Sequence, residues 1–451
     1  MPQDQSMKSS ALPPHANGLP FLGNALQMRI DPLGYFVRLY QQYGSVFRIT
    51  LLGTTYTVMG GIEANRFLAR EGDTHLGSEN LFGGLARELG SSRLMVAMDG
   101  PDHRHHRKLQ QRGVSRGAFM ARVPDVVKMT ADAAQTWKPG DHVPLFPTFQ
   151  RMITDQLGMV MLNFPIGEYF DDLFTLTLTA MRVHVLKTHP AFFLKRPVYV
   201  RARDRILSYS REILKWHREN PPVNRSVDLI DDLLGAVDEN GEPIPENMLI
   251  GSITGGFFAG MDTVASTASY YLYAILKHPG LLERVLAEVD ELFDCGEFSA
   301  DAFRKMNVLH NTAMETLRYY PIAPFTPRTV VQPFDFGGYH FDVGTEVYVA
   351  QTITHFLPEH YPNPTTFDPD RYDRPDQPKT AQVYAPFTLG GHTCLGAGWA
   401  EAHLMVVIAT LLRTTKFSLN PPDAEAVIYG SPLPNPGRKF GVKVDGARKP
   451  I

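Results

Sequence analysis

Residues Pro386–Met405 read PFTLGGHTCLGAGWAEAHLM and carry one of only two cysteines in a chain of 451 residues. Gly390, Gly391 and Gly396 crowd around Cys394, and an apolar run suited to a helix follows. A cysteine at the mouth of a helix meets free N–H groups and positive potential, which favour the thiolate. The glycines let backbone come close to whatever the sulfur touches. Two chemistries suit such a thiolate: nucleophilic attack, or ligation of a soft or borderline metal ion. A nucleophile needs a positioned base and an oxyanion pocket. His392 is too near in sequence to count as that base, and no G-x-C-x-G elbow is present. The plain alternative is a buried structural cysteine.

The rest of the composition narrows the field. The chain is 43% hydrophobic and 20% charged, with a formal net charge of -3. That is enough apolar residue for a large core, and it lacks the basic excess that bulk nucleic-acid binding requires. Two cysteines, Cys295 and Cys394, make no disulfide framework and suit a reducing compartment. No run of about 18 consecutive apolar residues occurs. The start, MPQDQSMKSSALPPHANGLPFLGN, lacks the charged-then-apolar pattern of a signal peptide. The expectation is a soluble, cytoplasmic protein. It has a polar, Pro-rich tail over 1–24 and one domain over 25–451, whose β-rich N-terminal lobe spans about 40–60.

Gly44–Gly61 has two β-rich runs flanking Gly53 and reads as a hairpin. Residues 72–100 read as loop-rich. Helical periodicity then dominates, near 102–112, 149–162, 168–186, 198–218, 245–277, 279–293, 301–320 and 395–414. Prolines and short strand-like pieces replace helices over 321–387 and after 419. The longest helix is apolar on nearly every side and should be central and buried. Gly255, Gly256, Gly260, Asp262 and Thr263 sit at its middle. Glycine there costs about 1 kcal/mol relative to Ala, which reads as more than packing would justify.

Phe387-x-x-Gly390-x-x-x-Cys394-x-Gly396 resembles the haem-ligand loop of the cytochrome P450 family. Other motifs stand in the family's order: Ala259–Thr263 (AGMDT) in the long helix, Glu315-x-x-Arg318 on a later helix, then Phe367-x-Pro369-x-Arg371. The resemblance covers most of the chain. It implies a mainly α fold, a large helical body with small β-sheets around a buried haem b. It implies Cys394 as axial ligand to the iron, a ligand that pushes electron density toward the metal and favours O–O cleavage. Phe387 would shield the sulfur. His103 with Arg107, Arg328 and His392 would hold the haem propionates, and Ala259 and Gly260 would lie over the ring. Thr263 can bond back to the Ala259 carbonyl, distort the helix and open a notch for O₂, with Asp262 beside it to relay protons. Glu315, Arg318 and Arg371 would be structural.

The implied activity is a monooxygenase that puts one oxygen atom from O₂ into a hydrophobic small molecule. Electrons would come from NAD(P)H through a separate ferredoxin or flavodoxin-like donor. Arg104, Lys108 and Arg112 form an i,i+4 stripe suited to docking that donor. Pocket candidates by family topology are Phe82, Leu94, Met98, Phe258, Ala259, Ile322, Ala323 and Phe325, all apolar. His189–Val200 reads as a roof loop covering the access channel, with peripheral membrane contact as its second reading. A peroxide-dependent peroxygenase would not need Asp262 and Thr263, a haem sensor or electron carrier would not need the pocket, and a cysteine hydrolase would hold no haem. The sterol-demethylase branch of the family usually has a His pair where Met261 and Asp262 stand here.

Overall fold

The computed structural model describes residues 12–91, 93–223, 225–238, 240–295, 302, 305–375, 380–430 and 433–451. The hairpin around Gly53 forms. Val46–Leu51 (β1) and Thr54–Gly60 (β2) pair antiparallel, with Val46 opposite Met59 and Leu51 opposite Thr54. The strands that complete its sheet come from far along the chain. β2 runs parallel to Glu346–Ala350 (β6), β6 antiparallel to Thr326–Val330 (β5), and β5 against the short Leu76–Gly77 (β3). A second sheet joins His142–Pro144 (β4), Gly441–Ala447 (β8) and Thr415–Leu419 (β7). The described part of the polar tail, 12–24, runs against β1: Arg48 N–H donates to the Pro14 carbonyl at 2.7 Å, and Ala16 N–H to that of Arg48 at 2.8 Å.

The helical body matches the periodicity closely. Helices run Gly100–Gln111, Leu145–Leu162, Pro197–Glu219, Leu281–Asp294, Asn307–Tyr319 and Ala397–Thr414. Of the helix expected over 301–320, residues 301, 303 and 304 lie outside the described residues. The stretch expected helical over 168–186 is α-helical for Phe170–Ala180 and then widens into a π turn at Met181–Val185. Three amphipathic helices escaped notice, at Pro32–Tyr43, Ile62–Arg70 and Val123–Ala134. A fourth, Glu79–Glu88, lies inside the stretch expected to be loop. Gly83 and Gly84 lower its intrinsic propensity. It forms because Gly84 admits the His184 ring: a Cβ there would lie 2.3 Å from Nδ1. Leu81, Leu85 and Ala86 go into the core on its other side.

The central helix, Glu246–Lys277, is an unbroken α-helix of 32 residues. Its glycines correct the sequence reading, because packing does account for them. A Cβ on Gly251 would lie 2.4 Å from Ser91 Cβ, and one on Gly255 2.6 Å from Leu94 Cδ1. One on Gly260 would lie 2.5 Å from Leu157 Cδ1, and one on Gly256 2.9 Å from Met161 Cε. Two i,i+4 stripes of bare backbone thus admit Ser91 and Leu94 on one side and the crossing helix Leu145–Leu162 on the other. In a close-packed interior these neighbours have nowhere to retreat. This helix and the 390–414 segment are long and apolar enough to span a bilayer by composition. Both are mostly enclosed by other elements and act as core.

Candidate active site

The Cys loop is held by its own backbone. Cys394 N–H donates to the Phe387 carbonyl at 2.9 Å, and Thr393 N–H to that of Gly390 at 3.1 Å. Gly390 has φ +77°, and a Cβ there would lie 2.6 Å from the Leu68 carbonyl oxygen. Only glycine fits both demands. Gly391 N–H donates to Asp73 at 3.2 Å, fixing the loop to the segment before β3. Cys394 keeps exposed surface although its sulfur is closely surrounded by protein atoms. Burial pushes its thiol above the ordinary value, against the opposing pull of the Gly396 N–H and Arg107. The Gly396 N–H and the Arg107 charge act in the direction the helix mouth predicts, toward the thiolate, and burial acts against them. A nucleophile would need a lowered value. A sulfur in this setting ionises when a metal cation binds it, which favours ligation over attack.

Around the loop the structure gathers the expected cationic set. His103 and His392 stack with ring centroids 4.0 Å apart and an interplanar angle of 16°. His103 is pushed down to about 4 by burial, then by the nearby His392 and Arg107, so at neutral pH it is an uncharged donor. Arg328 is buried on β5 and is pushed down to about 10 by that burial. Its guanidinium has five N–H donors. Among the described residues the one hydrogen bond it makes is from Nη1 to the neighbouring Pro327 carbonyl, at 2.8 Å. Arg107 stands close enough to Cys394 and Asp73 to feel both charges. A buried arginine with spare donors, beside a second arginine and two imidazoles, suits anionic arms, and the sulfur beside it suits iron. The residues present fit a haem.

Two acids in this set went unnoticed. Asp99 precedes the helix Gly100–Gln111, where an N-cap would stand, yet its carboxylate caps nothing of that helix. It accepts from Ser78 N–H at 2.8 Å, Ser78 Oγ at 2.9 Å and Glu79 N–H at 3.1 Å, and pairs with His392 at 3.2 Å. Burial opposes its charge, but His392 and Ser78 outweigh it and hold the carboxyl well below its usual range. Asp73 is the other. No spacing in the sequence marks either one.

On the central helix, Thr263 Oγ1 donates to the Ala259 carbonyl at 2.7 Å, as the four-residue spacing predicts. The helix stays α-helical across this bond. Ala259 is exposed in the midst of a buried helix, which leaves an opening beside Thr263. Asp262 turns toward the crossing helix, where Gln150 Nε2 donates to its carboxylate at 2.5 Å. Gln150 in turn accepts from Arg438 at 3.4 Å. Burial raises the Asp262 carboxyl above its usual value, despite Gln150 and the Arg438 charge. Gln150 and Arg438 were not legible in the sequence.

The pocket candidates divide. Ala323 is exposed, while Leu94, Met98 and Ile322 are buried. Leu94 packs on the central helix at Gly255. Phe82 and Phe258 are half-buried against the helical core. Phe325 departs from expectation: its ring packs on Tyr348 at 4.5 Å and Phe36 at 5.4 Å, inside the cluster on the sheet. Arg104, Lys108 and Arg112 form the exposed stripe predicted, with Arg112 3.5 Å from Asp232.

Behind the loop, Glu315 accepts from Arg318 Nε at 2.8 Å and Nη2 at 2.7 Å, and from Arg371 Nε at 3.1 Å. All three side chains are buried. Their remaining donors reach the carbonyls of His355, Pro362, Pro364 and Thr366. His355 accepts from Ala385 N–H at 2.9 Å, just ahead of the Cys loop.

Comparison with known proteins agrees with this geometry. A sterol 14α-demethylase of Mycolicibacterium vanbaalenii is 26% identical over 89% of this chain and 90% of the relative. Cytochrome P450 120 of Synechocystis sp. is 28% identical over 95% and 96%. The structure of retinoic acid bound cyanobacterial CYP120A1 superposes with a TM-score of 0.83 at 25% identity, covering 97% of this chain and 99% of that one. The Cytochrome P450 family model matches residues 13–443, so the chain belongs to the cytochrome P450 family and is a haem-dependent oxidoreductase of the monooxygenase type.

Proposed function

We propose that this enzyme oxygenates an apolar, lipid-like small molecule, taking electrons from a separate acidic donor protein. The observation that carries the reading is the bare Ala259–Thr263 face of an otherwise enclosed helix, with the Thr263 hydroxyl fixed on the Ala259 carbonyl. The sterol demethylases and the retinoic acid complex among its relatives support an apolar lipid substrate. Bound haem would supply activation of O₂ and transfer of one oxygen atom. Cys394 would be its axial ligand, with Phe387 beside the sulfur. Arg107, Arg328, His103 and His392 would hold its carboxylate arms. Ala259 and Ala323 would leave room beside it, whereas Gly260, expected over the ring, packs on Leu157 instead.

Thr263 and Asp262 share the proton work on this reading. The Thr263 hydroxyl offers its oxygen as an acceptor toward the open face while its own proton is committed to Ala259. Asp262, with its raised carboxyl, can hold a proton in the protein interior and deliver it by turning away from Gln150. Thr263→Ala should raise peroxide released per NAD(P)H consumed by roughly tenfold or more, because the proton path from Asp262 loses its acceptor at the open face. Coupling unchanged from wild type would overturn the assignment.

The exposed stripe Arg104, Lys108 and Arg112 lies on the helix that also carries Arg107, whose charge reaches Cys394. On this reading it steers an acidic ferredoxin or flavodoxin-like domain, itself reduced by NAD(P)H. Lys108→Glu should slow the donor-dependent reduction rate about tenfold at low salt, with the difference shrinking as salt screens the contact. Equal rates for the two proteins at low salt would count against the docking face.

A further inference from the structure

The carboxylate of Asp99 turns away from the helix it precedes. One oxygen, Oδ2, accepts from Ser78 N–H at 2.8 Å and Glu79 N–H at 3.1 Å. The other, Oδ1, accepts from Ser78 Oγ at 2.9 Å and lies 3.2 Å from His392 Nε2. The two backbone donors stand at the start of the helix Glu79–Glu88, where N–H groups have no partner within the helix. Ser78 holds the N-cap position there, yet its hydroxyl caps nothing and turns to Asp99. Asp99 therefore caps this helix in place of Ser78, from 21 positions along the chain. Gly77 lets it come so close, since a Cβ there would lie 3.2 Å from Oδ2 and 2.6 Å from Val331 Cγ1.

A cap needs one oxygen, and the second is left for His392. Burial works against the charge of Asp99, but His392 and the Ser78 donors hold its carboxyl well below the usual range, so these are bonds to an anion. The same charge reaches Arg328 and His103, the other members of the set around the Cys loop. On the far side of the pair, the His392 ring lies flat on that of His103, with centroids 4.0 Å apart. The stack sets the plane of the imidazole, and the bond to Asp99 sets its rotation within that plane. Among the described residues nothing hydrogen-bonds His392 Nδ1, so the ring keeps a nitrogen for a further partner.

Resting on the reading that His392 holds a carboxylate arm of the haem, we propose that Asp99 is the positioning residue for that contact. It locks the His392 ring against His103, so that the arm meets a preset partner rather than a mobile one. A ring already fixed loses no rotamer freedom when the arm arrives, which strengthens the hold. Asp99 is itself fixed by the helix start and by Ser78, a position its own stretch of chain would not give it. One carboxylate thus sets both the His392 ring and the first turn of the helix that carries Phe82.

The test uses the full-length, haem-loaded protein and follows transfer of haem to excess apomyoglobin, with far-UV circular dichroism showing that each variant is folded. Asp99→Asn keeps an oxygen for the Ser78 and Glu79 N–H groups but turns an amide donor toward His392 Nε2. It should lose haem about tenfold faster than wild type, the scale on which outer-shell partners act. The propionate-bending band of the resonance Raman spectrum should shift as well, which a general loss of stability would not cause. Ser78→Ala removes one bond to Asp99 and leaves its charge, and should speed haem loss about threefold, the worth of one ordinary hydrogen bond. In a His392→Gln background neither substitution should add to the rate, because residues that act through one partner are not additive. Asp99→Asn that loses haem at the wild-type rate, while His392→Gln loses it faster, would overturn the inference and leave His392 as a haem contact. Effects of Asp99→Asn and His392→Gln that simply multiply would overturn it too, since Asp99 would then act through the fold at large. His392→Gln that matches wild type in both rate and band would overturn the haem-arm reading and this inference together.

Discussion

Cys394→Ala should abolish the red-shifted Soret band that the reduced, CO-bound wild-type protein is expected to show. The effect is all-or-none because the band reports a thiolate on iron, and no other sulfur replaces it. The second cysteine, Cys295, ends a surface helix and is exposed. The reasoning starts from the sulfur's surroundings. Burial raises the Cys394 thiol while the Gly396 N–H and Arg107 act the other way, a setting in which a bound cation would stabilise the thiolate. A cysteine that served as a nucleophile would behave otherwise, reacting rapidly with alkylating reagents in the haem-free protein. A wild-type protein that takes up haem and lacks the band would sink the ligand assignment.

The second large effect is expected behind the loop. Arg318→Ala should destabilise the fold by about 3–5 kcal/mol, the usual cost of leaving one partner of a buried ion pair alone. Glu315 would keep Arg371 as its remaining cation, while the carbonyls of His355 and Pro364 would lose their donor. Because His355 anchors Ala385, the damage should reach the Cys loop, and haem retention should fall with the thermal midpoint. Arg318→Lys should recover little, since one ammonium cannot replace a fork that bonds both Glu315 oxygens and three carbonyls. A thermal scan and the haem-to-protein absorbance ratio read both effects. Stability within about 1 kcal/mol of wild type would show that the triad is not a structural brace.

Much of this was legible in the chain. The Cys loop, the E-x-x-R helix and the Ala259–Thr263 spacing are local patterns, and local geometry fixes their hydrogen bonds. The Thr263 back-bond follows from four-residue spacing alone. What could not be read depends on distant segments meeting. Gln150 meets Asp262 across 112 positions, and Asp99 leaves its apparent cap position for a turn 21 positions earlier. Glu79–Glu88 looked like loop because its glycines are poor helix formers, and it folds as a helix because a ring from the π turn fills the space beside Gly84. Phe325 looked like pocket because it follows the E-x-x-R helix, yet the aromatic cluster on the sheet claims its ring. The glycines of the central helix suggested strain when they were contact surfaces.

Those glycines divide the central helix into faces under different packing constraint. The sides that meet Leu157, Met161, Leu94 and Ser91 accept no larger residue without moving a neighbour in the core. At Ala259 the side chain is exposed. A larger side chain there would extend into open space, whereas one at Gly255 or Gly260 would have to push a core neighbour aside, so the two faces of one helix differ in how much change the scaffold tolerates.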